Sequence, residues 1–189
     1  MRYALKRKTM SRVGRSEIKI PAGVTVAIKD STATVKGPKG ELSQYIDDRN
    51  IAVEINGEVL NVVRKSESKS TKAKHGLYRQ LIANMVKGVV EPFTKTLIVK
   101  GVGYKVALAG NKITMNVGLS HTVEFVSPPD VTLTCPDANT IVVSGIDKQR
   151  VGQVAATLKS KKPVEPYHLY GIHYQGERLV KKEGKTSGK

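Results

Sequence analysis

The residues best equipped for chemistry lie at the end of the chain, where 159–189 reads KSKKPVEPYHLYGIHYQGERLVKKEGKTSGK. Lys159, Lys161, Lys162, Arg178, Lys181, Lys182, Lys185 and Lys189 face only Glu165, Glu177 and Glu183, with Tyr167, His168, Tyr170, His173 and Tyr174 interleaved. Lys and Arg neutralise phosphates and release condensed counterions, and a flat side chain offers a face to an unstacked base or a ribose. One such stack contributes roughly 1–3 kcal/mol. The pattern therefore points to nucleic acid, with these cations and rings as the contact set. Pro163 and Pro166 exclude a regular helix, and Gly171 and Gly176 permit turns, so the segment is expected to lie extended across a partner. The plainer alternative is a solvated basic tail whose tyrosines complete a core.

Other chemistry finds little support. GVGYKV at 101–106 contains a GxG, but no third glycine follows at dinucleotide spacing and the continuation reads as a strand. Gly184-Lys185-Thr186 resembles the end of a phosphate-binding loop, yet the position that needs the first glycine is Leu179. His75, His121, His168 and His173 show no metal-ligand spacing, and no acid is placed to make any of them a base. Cys135 is the only cysteine, which allows neither an internal disulfide nor a cysteine-based metal site and fits a reducing compartment. The expectation is no enzyme, no cofactor and no metal.

A second basic cluster, Lys65, Lys69, Lys72, Lys74, His75 and Arg79, is diluted by Glu67. Lys72, His75 and Arg79 are candidate RNA contacts there, and a solvated helix start explains the cluster equally well. Over the whole chain of 189 residues, 32 Lys and Arg against 16 Asp and Glu leave a net charge of +16. Such an excess repels itself unless a polyanion compensates it, and nucleic acid suits that role better than an anionic membrane. No apolar run approaches the roughly 20 residues of a membrane helix, and MRYALKRKT lacks the apolar centre of a secretory signal. Arg2, Lys6, Arg7, Lys8, Arg12 and Arg15 with no acid read as a flexible basic arm over residues 1–15.

The elements that must position these groups follow from periodicity. Val24, Val26 and Ile28 alternate with polar or small residues, and 33–36 follows after an Asp30-Ser31 turn. Strands over 42–46, 51–55 and 59–63 come next, the last two joined by the Asn56-Gly57 hairpin signal. Leu77, Leu81 and Met85, widened by Ile82 and Val86, predict a helix over 71–87 that ends at Gly88. Further strands are expected over 97–99, 104–108, 113–117, 123–126, 131–135 and 141–143. Asp147 then caps a helix whose inner face is Val151, Val154, Ala155 and Leu158, and Pro163 stops it.

The second half repeats the first. Residues 34–37 lie over 115–118, 51–53 over 131–133, helix over helix, and VEPF at 90–93 answers VEPY at 164–167. That order favours an internal duplication. The predicted fold is α+β: two tandem domains, 16–90 and 91–175, each a small, mostly antiparallel sheet packed on a helix, followed by a basic tail over 176–189. After VEPF the chain continues as the ordinary strand TKTLIVKG, whereas after VEPY it enters the aromatic, basic segment. The second domain is therefore expected to hold the main RNA contact.

Five motifs in order carry a resemblance: MSRVGR at 10–15, GVGYKV at 101–106, GLSH at 118–121, GIDKQRVGQVAA at 145–156 and EPY leading to GIHY at 165–174. Together they resemble the family of the sixth protein of the bacterial large ribosomal subunit, over residues 10 to 185. The resemblance makes residues 1–9 either an extension or the product of an upstream start. It implies a structural protein bound to large-subunit (23S) rRNA near the base of the factor-binding stalk, with neighbouring ribosomal proteins as further partners. It also implies a place on the cytoplasmic ribosome, with no membrane or DNA partner and no homo-oligomer. In that family GVGY marks a tight strand junction, which adds Lys105 to the candidates, and the GxSH turn adds His121. Where the family places a Lys-Gly-Lys linker, this chain has His168, Leu169 and Tyr170. A free RNA-binding or RNA-processing module is the alternative reading.

Overall fold

A computed structural model describes residues 12–185. The chain divides into two compact units, Met1–Glu91 and Pro92–Lys189. Both are α+β, and every described strand pairing is antiparallel.

In the first unit, α1 (Arg12–Arg15) and β1 (Ile18–Lys19) precede a meander of β2 (Thr25–Lys29), β3 (Thr32–Gly37) and β4 (Gly40–Tyr45). The expected turn between β2 and β3 forms, with Asp30 at φ 45° and Ser31 at φ 64°, the paired left-handed geometry whose twist matches a two-residue hairpin. β5 (Ile51–Asn56) and β6 (Val59–Arg64) form the second hairpin, with Gly57 at φ 63° just beyond the Asn56–Val59 closing pair. β1 adds to the far side of β6, giving the order β1-β6-β5. The sheets enclose Ala33, Val35, Leu60 and Val62 against α2 (Lys69–Gly88).

α2 begins two residues before the predicted start, because Ser68 caps it: its Oγ accepts the Thr71 N–H at 3.1 Å. The inward stripe is Thr71, His75, Tyr78, Ile82, Met85 and Val86. The predicted stripe was rotated, for Leu77 is 53% exposed and Leu81 only half-buried. Two polar residues, Thr71 and His75, occupy the face that hydrophobic periodicity assigns to apolar side chains. The predicted basic arm is corrected as well: residues 1–11 lie outside the described residues, but 12–15 form α1, packed on α2.

The second unit contains β7 (Phe93–Lys100), a meander of β8 (Lys105–Ala109), β9 (Lys112–Asn116) and β10 (Val123–Val126), and the hairpin β11 (Val131–Asp137) with β12 (Thr140–Gly145). α3 (Lys148–Ser160) follows, capped as predicted by Asp147, whose Oδ1 accepts the Gln149 N–H at 2.8 Å. Val151, Val154, Ala155 and Leu158 face the sheet. Each fully buried Leu or Ile in such a core stabilises by about 1.5–3 kcal/mol.

The two units share one plan: a three-strand meander, a hairpin, a leading strand added beside the hairpin, and one helix. The duplication is thereby seen in topology. Its register differs by one residue from the sequence alignment of β3 with β9. Counted from their hairpin turns, Ala33 and Val35 correspond to Ile113 and Met115, and all four are fully buried. A one-residue slip would turn these side chains to solvent, so the burial fixes the match.

A larger correction concerns the tail. Gly171–Tyr174 is not a free extended segment but forms β13, which pairs with β7 through Ile172–Val99 and Tyr174–Leu97. Ile172 is fully buried, and Tyr174 packs against the core. The tyrosine that the sequence offered as a stacking surface is thus partly a core residue, the outcome the plainer alternative described for it.

Candidate nucleic-acid interface

α3 ends in Lys159 and Ser160, with Lys161 as its C-cap, so cations gather at the negative end of the helix. The chain then folds back on itself over 162–170. The Glu165 N–H donates to the Tyr170 carbonyl at 2.9 Å, the Leu169 N–H to the Glu165 carbonyl at 3.0 Å and the Ile172 N–H to the Lys162 carbonyl at 2.9 Å. Gly171 makes this crossing possible. It sits at φ 145°, and a Cβ there would lie 2.6 Å from Val164 Cα and 2.7 Å from the Pro163 carbonyl oxygen.

Beyond β13 the chain turns at Gly176 and returns, so that the Lys182 N–H donates to the Pro166 carbonyl at 2.9 Å. The basic tail is therefore tied beside the loop. Lys161, Arg178, Lys181, Lys182 and Lys185 are exposed and Lys162 is half-buried. Among the described residues none of these six has an ion-pair partner. Tyr167 is exposed at 46%, and His168 is exposed with its ring stacked on Tyr170.

Lys159 differs from its neighbours. Its Nζ meets Glu177 Oε1 at 2.5 Å and lies 4.8 Å from the Tyr174 ring centroid. The other Glu177 oxygen accepts the Tyr174 N–H at 2.9 Å. The Lys159 hydrogen bond and then that backbone donor hold the Glu177 carboxyl below its ordinary range. His173 is half-buried in β13, and burial lowers its pKa, an effect opposed by Glu177 and reinforced by Lys100 and Lys159. A shallow hollow of about 570 Å³ between α3 and β13 is lined by Ala156, Pro163 and Val164 as well as by Lys159, Tyr174 and Glu177.

Two cations were missed in the sequence because they lie far from the tail in the chain. Lys95 on β7 sits 5.7 Å from the Tyr174 ring, and Lys100 pairs in register with Gly171. Only strand pairing brings them there, and β13 carried no strong strand signal.

The remaining candidates are dispersed. Lys105 is exposed at the start of β8, and His121 is exposed in the loop before β10. The motifs that carry them do meet, since the Tyr104 ring lies against both Gly101 and Gly118. In the first unit Lys72 pairs with Glu67 at 3.4 Å, and Arg79 donates to the carbonyls of Ser16 and Glu17 at 3.0 and 3.2 Å. His75 is corrected outright as an RNA contact: it has no exposed surface, and its Nε2–H donates to the Val62 carbonyl at 2.7 Å.

Among the described residues no group of three or more His, Cys, Asp or Glu could hold a metal ion, and no helix is long and apolar enough to cross a membrane. Cys135 is half-buried, and burial raises its pKa, which marks a packed thiol rather than an activated one.

The family model described as "Ribosomal protein L6" matches residues 20–91 and 100–175, one stretch in each unit. The chain is 46% identical over 177 residues to the "Large ribosomal subunit protein uL6" of Listeria monocytogenes serotype 4a (strain HCC23), covering 94% of this chain and 99% of that protein. It is also 46% identical over 181 residues to the protein of the same name from Mesoplasma florum, covering 95% and 100%. With both repeats matched and nearly the whole length aligned, the chain belongs to the ribosomal protein L6 family.

Proposed function

We propose that this chain is a structural constituent of the large ribosomal subunit that binds large-subunit rRNA chiefly through its second unit, near the base of the factor-binding stalk. It acts on the cytoplasmic ribosome beside neighbouring ribosomal proteins and performs no catalysis. The observation that carries the reading is the gathering of six cations between Lys161 and Lys185, none with an ion-pair partner among the described residues, beside the exposed side chains of Tyr167 and His168. A surface that gathers uncompensated cations beside aromatic rings is suited to a polyanion. The relatives' printed name, a large ribosomal subunit protein, agrees with this choice.

The mechanism is electrostatic clamping with shape readout. Lys161, Lys162, Arg178, Lys181, Lys182 and Lys185 cancel phosphate repulsion, and Lys105 and His121 supply contacts from the meander of the same unit. Backbone and hydroxyl groups, reading the ribose 2′-OH, fix register without reading sequence. Tyr167, His168 and Tyr170 present faces to unpaired nucleotides, while His173 and Tyr174 lie half-buried on β13.

The test is incorporation. Wild-type protein bearing a tag should sediment with the large subunit, and Lys161→Glu, Lys162→Glu and Lys181→Glu together should abolish that co-sedimentation without changing the circular dichroism spectrum. Wild-type protein that migrates apart from subunits while still binding RNA would instead indicate a free-standing RNA-binding or processing module.

A further inference from the structure

The loop between α3 and β13 holds two aromatic rings face to face. The centroids of His168 and Tyr170 are 5.5 Å apart, with planes 26° from parallel. The backbone is bent to achieve this. Leu169, between them, has φ 61°, a left-handed conformation that costs a side-chain-bearing residue on the order of 1–2 kcal/mol. The Leu169 N–H bond to Glu165 and the Glu165 N–H bond to Tyr170 hold it there. The Glu165 carboxylate adds a further restraint, lying 3.2 Å from His168 Nδ1 and fixing the plane of a side chain that is itself 69% exposed.

Two observations define the ligand. Basic residues are anchored at both ends of the ring-bearing loop, since the Lys182 N–H donates to the Pro166 carbonyl and the Ile172 N–H to the Lys162 carbonyl. The acid beside the rings, Glu165, repels phosphate. A phosphate-binding spot would not carry Glu165, whereas a base edge can donate N–H groups to it.

We propose that the His168–Tyr170 pair is a stacking platform for one unstacked nucleobase, whose flanking phosphates lie on Lys162, Lys181 and Lys182. The platform rests on the RNA-binding reading and names the part of the nucleotide taken at this position. The exposed His168 face receives the base, Tyr170 supports the ring from behind, and Glu165 is a positioning residue.

The experiment uses the full chain with protein-free 23S rRNA. His168→Ala should weaken binding about tenfold, within the range for loss of one base stack, with the slope of log affinity against log salt unchanged. His168→Phe should restore affinity. Tyr170→Trp places the only tryptophan in the chain, and its fluorescence should be quenched on rRNA addition in the His168 protein and less so with His168→Ala. Unchanged affinity and equal quenching in the His168→Ala protein would overturn the platform while leaving RNA binding intact. Rescue by His168→Lys with a steeper salt slope, but not by Phe, would show a phosphate contact instead. Failure of the wild-type chain to bind rRNA would remove both this proposal and the reading beneath it.

Discussion

Gly14 lies directly against the imidazole of His75, so closely that a methyl group on its α-carbon would overlap Nδ1 and Cε1. The glycine belongs to the basic MSRVGR motif, and the histidine to the basic cluster at the start of α2. In the sequence the first stretch reads as a flexible basic arm and the second as a candidate RNA contact, yet at this point they are packed together. The imidazole is fully buried and bonded to Val62 of β6, so α1, α2 and the sheet meet through one ring.

Gly14→Ala is accordingly expected to destabilise the protein by about 1–3 kcal/mol through overpacking. His75→Ala should cost about 2–4 kcal/mol, from a cavity and a lost buried hydrogen bond. Urea unfolding measures both. The rRNA affinity of each variant, read well below its melting temperature, should equal that of wild type, and a drop for His75→Ala at full folding would return this residue to the interface.

The GVGY and GLSH motifs are joined by one ring in the same manner. A Cβ on Gly118, which has φ 68°, would lie 2.8 Å from Tyr104 Cε1, and one on Gly101 would lie 2.5 Å from Tyr104 Cδ2. Gly118→Ala should cost about 2–4 kcal/mol, combining backbone strain with overlap. In a Tyr104→Ala background only the backbone part, about 1 kcal/mol, should remain. A double-mutant cycle by chemical denaturation checks this, and full additivity would contradict the packing account.

Acid should loosen the second unit in two stages. Burial lowers the pKa of His173 from its ordinary 6.5, so as pH falls through that value the unfolded chain takes the proton first. This part of the stability is present above 6.5 and declines below it. Glu177 follows below its ordinary 4.5, because the Lys159 pair holds its folded pKa lower still. In melting temperatures recorded from pH 7 to 3, His173→Gln should flatten the upper stage and Glu177→Gln the lower. Both slopes are expected to be shallow, since the Lys159–Glu177 pair is solvent-screened.

Glu177→Gln also releases Lys159 from its acid. The variant should bind rRNA a few-fold more tightly, with a salt slope steeper by somewhat less than one unit, as expected for one added phosphate contact. Filter binding across a salt series reads this directly. An unchanged slope would mean that Lys159 stays on the Tyr174 ring and serves the fold alone.

What could be read from the chain and what could not divide along physical lines. Local signals agreed with the structure where Asp30-Ser31 turned a hairpin, Asp147 capped α3, and Val151, Val154 and Leu158 faced inward, whereas the Ser68 cap of α2 went unread. The duplication was legible because VEPF and VEPY follow similar elements, and the family model finds both copies. Non-local pairing was the blind spot. Nothing in GIHY marks a strand, since it is short and begins with a glycine, and its order comes from β7, some seventy residues earlier. His75 misled for a related reason, because a polar residue on the buried face of a helix is justified only by an acceptor, Val62, on a distant strand. In the first basic cluster charge alone did not show that Glu67 pairs with Lys72 and that backbone carbonyls accept from Arg79. For the tail it pointed to Lys161, Lys162, Lys181 and Lys182, all without acid partners among the described residues.

The central claim is that the unpaired cations between Lys161 and Lys185 hold rRNA by neutralising phosphates. The most direct test is the salt dependence of binding to protein-free 23S rRNA, compared between wild type and the protein carrying Lys161→Glu, Lys162→Glu and Lys181→Glu. For about six phosphates the wild-type log-log slope should be on the order of −4 to −5, and the triple variant should lose about two to three units of it together with most of its affinity. A wild-type slope near zero, or an unaltered slope in the folded variant, would contradict the account.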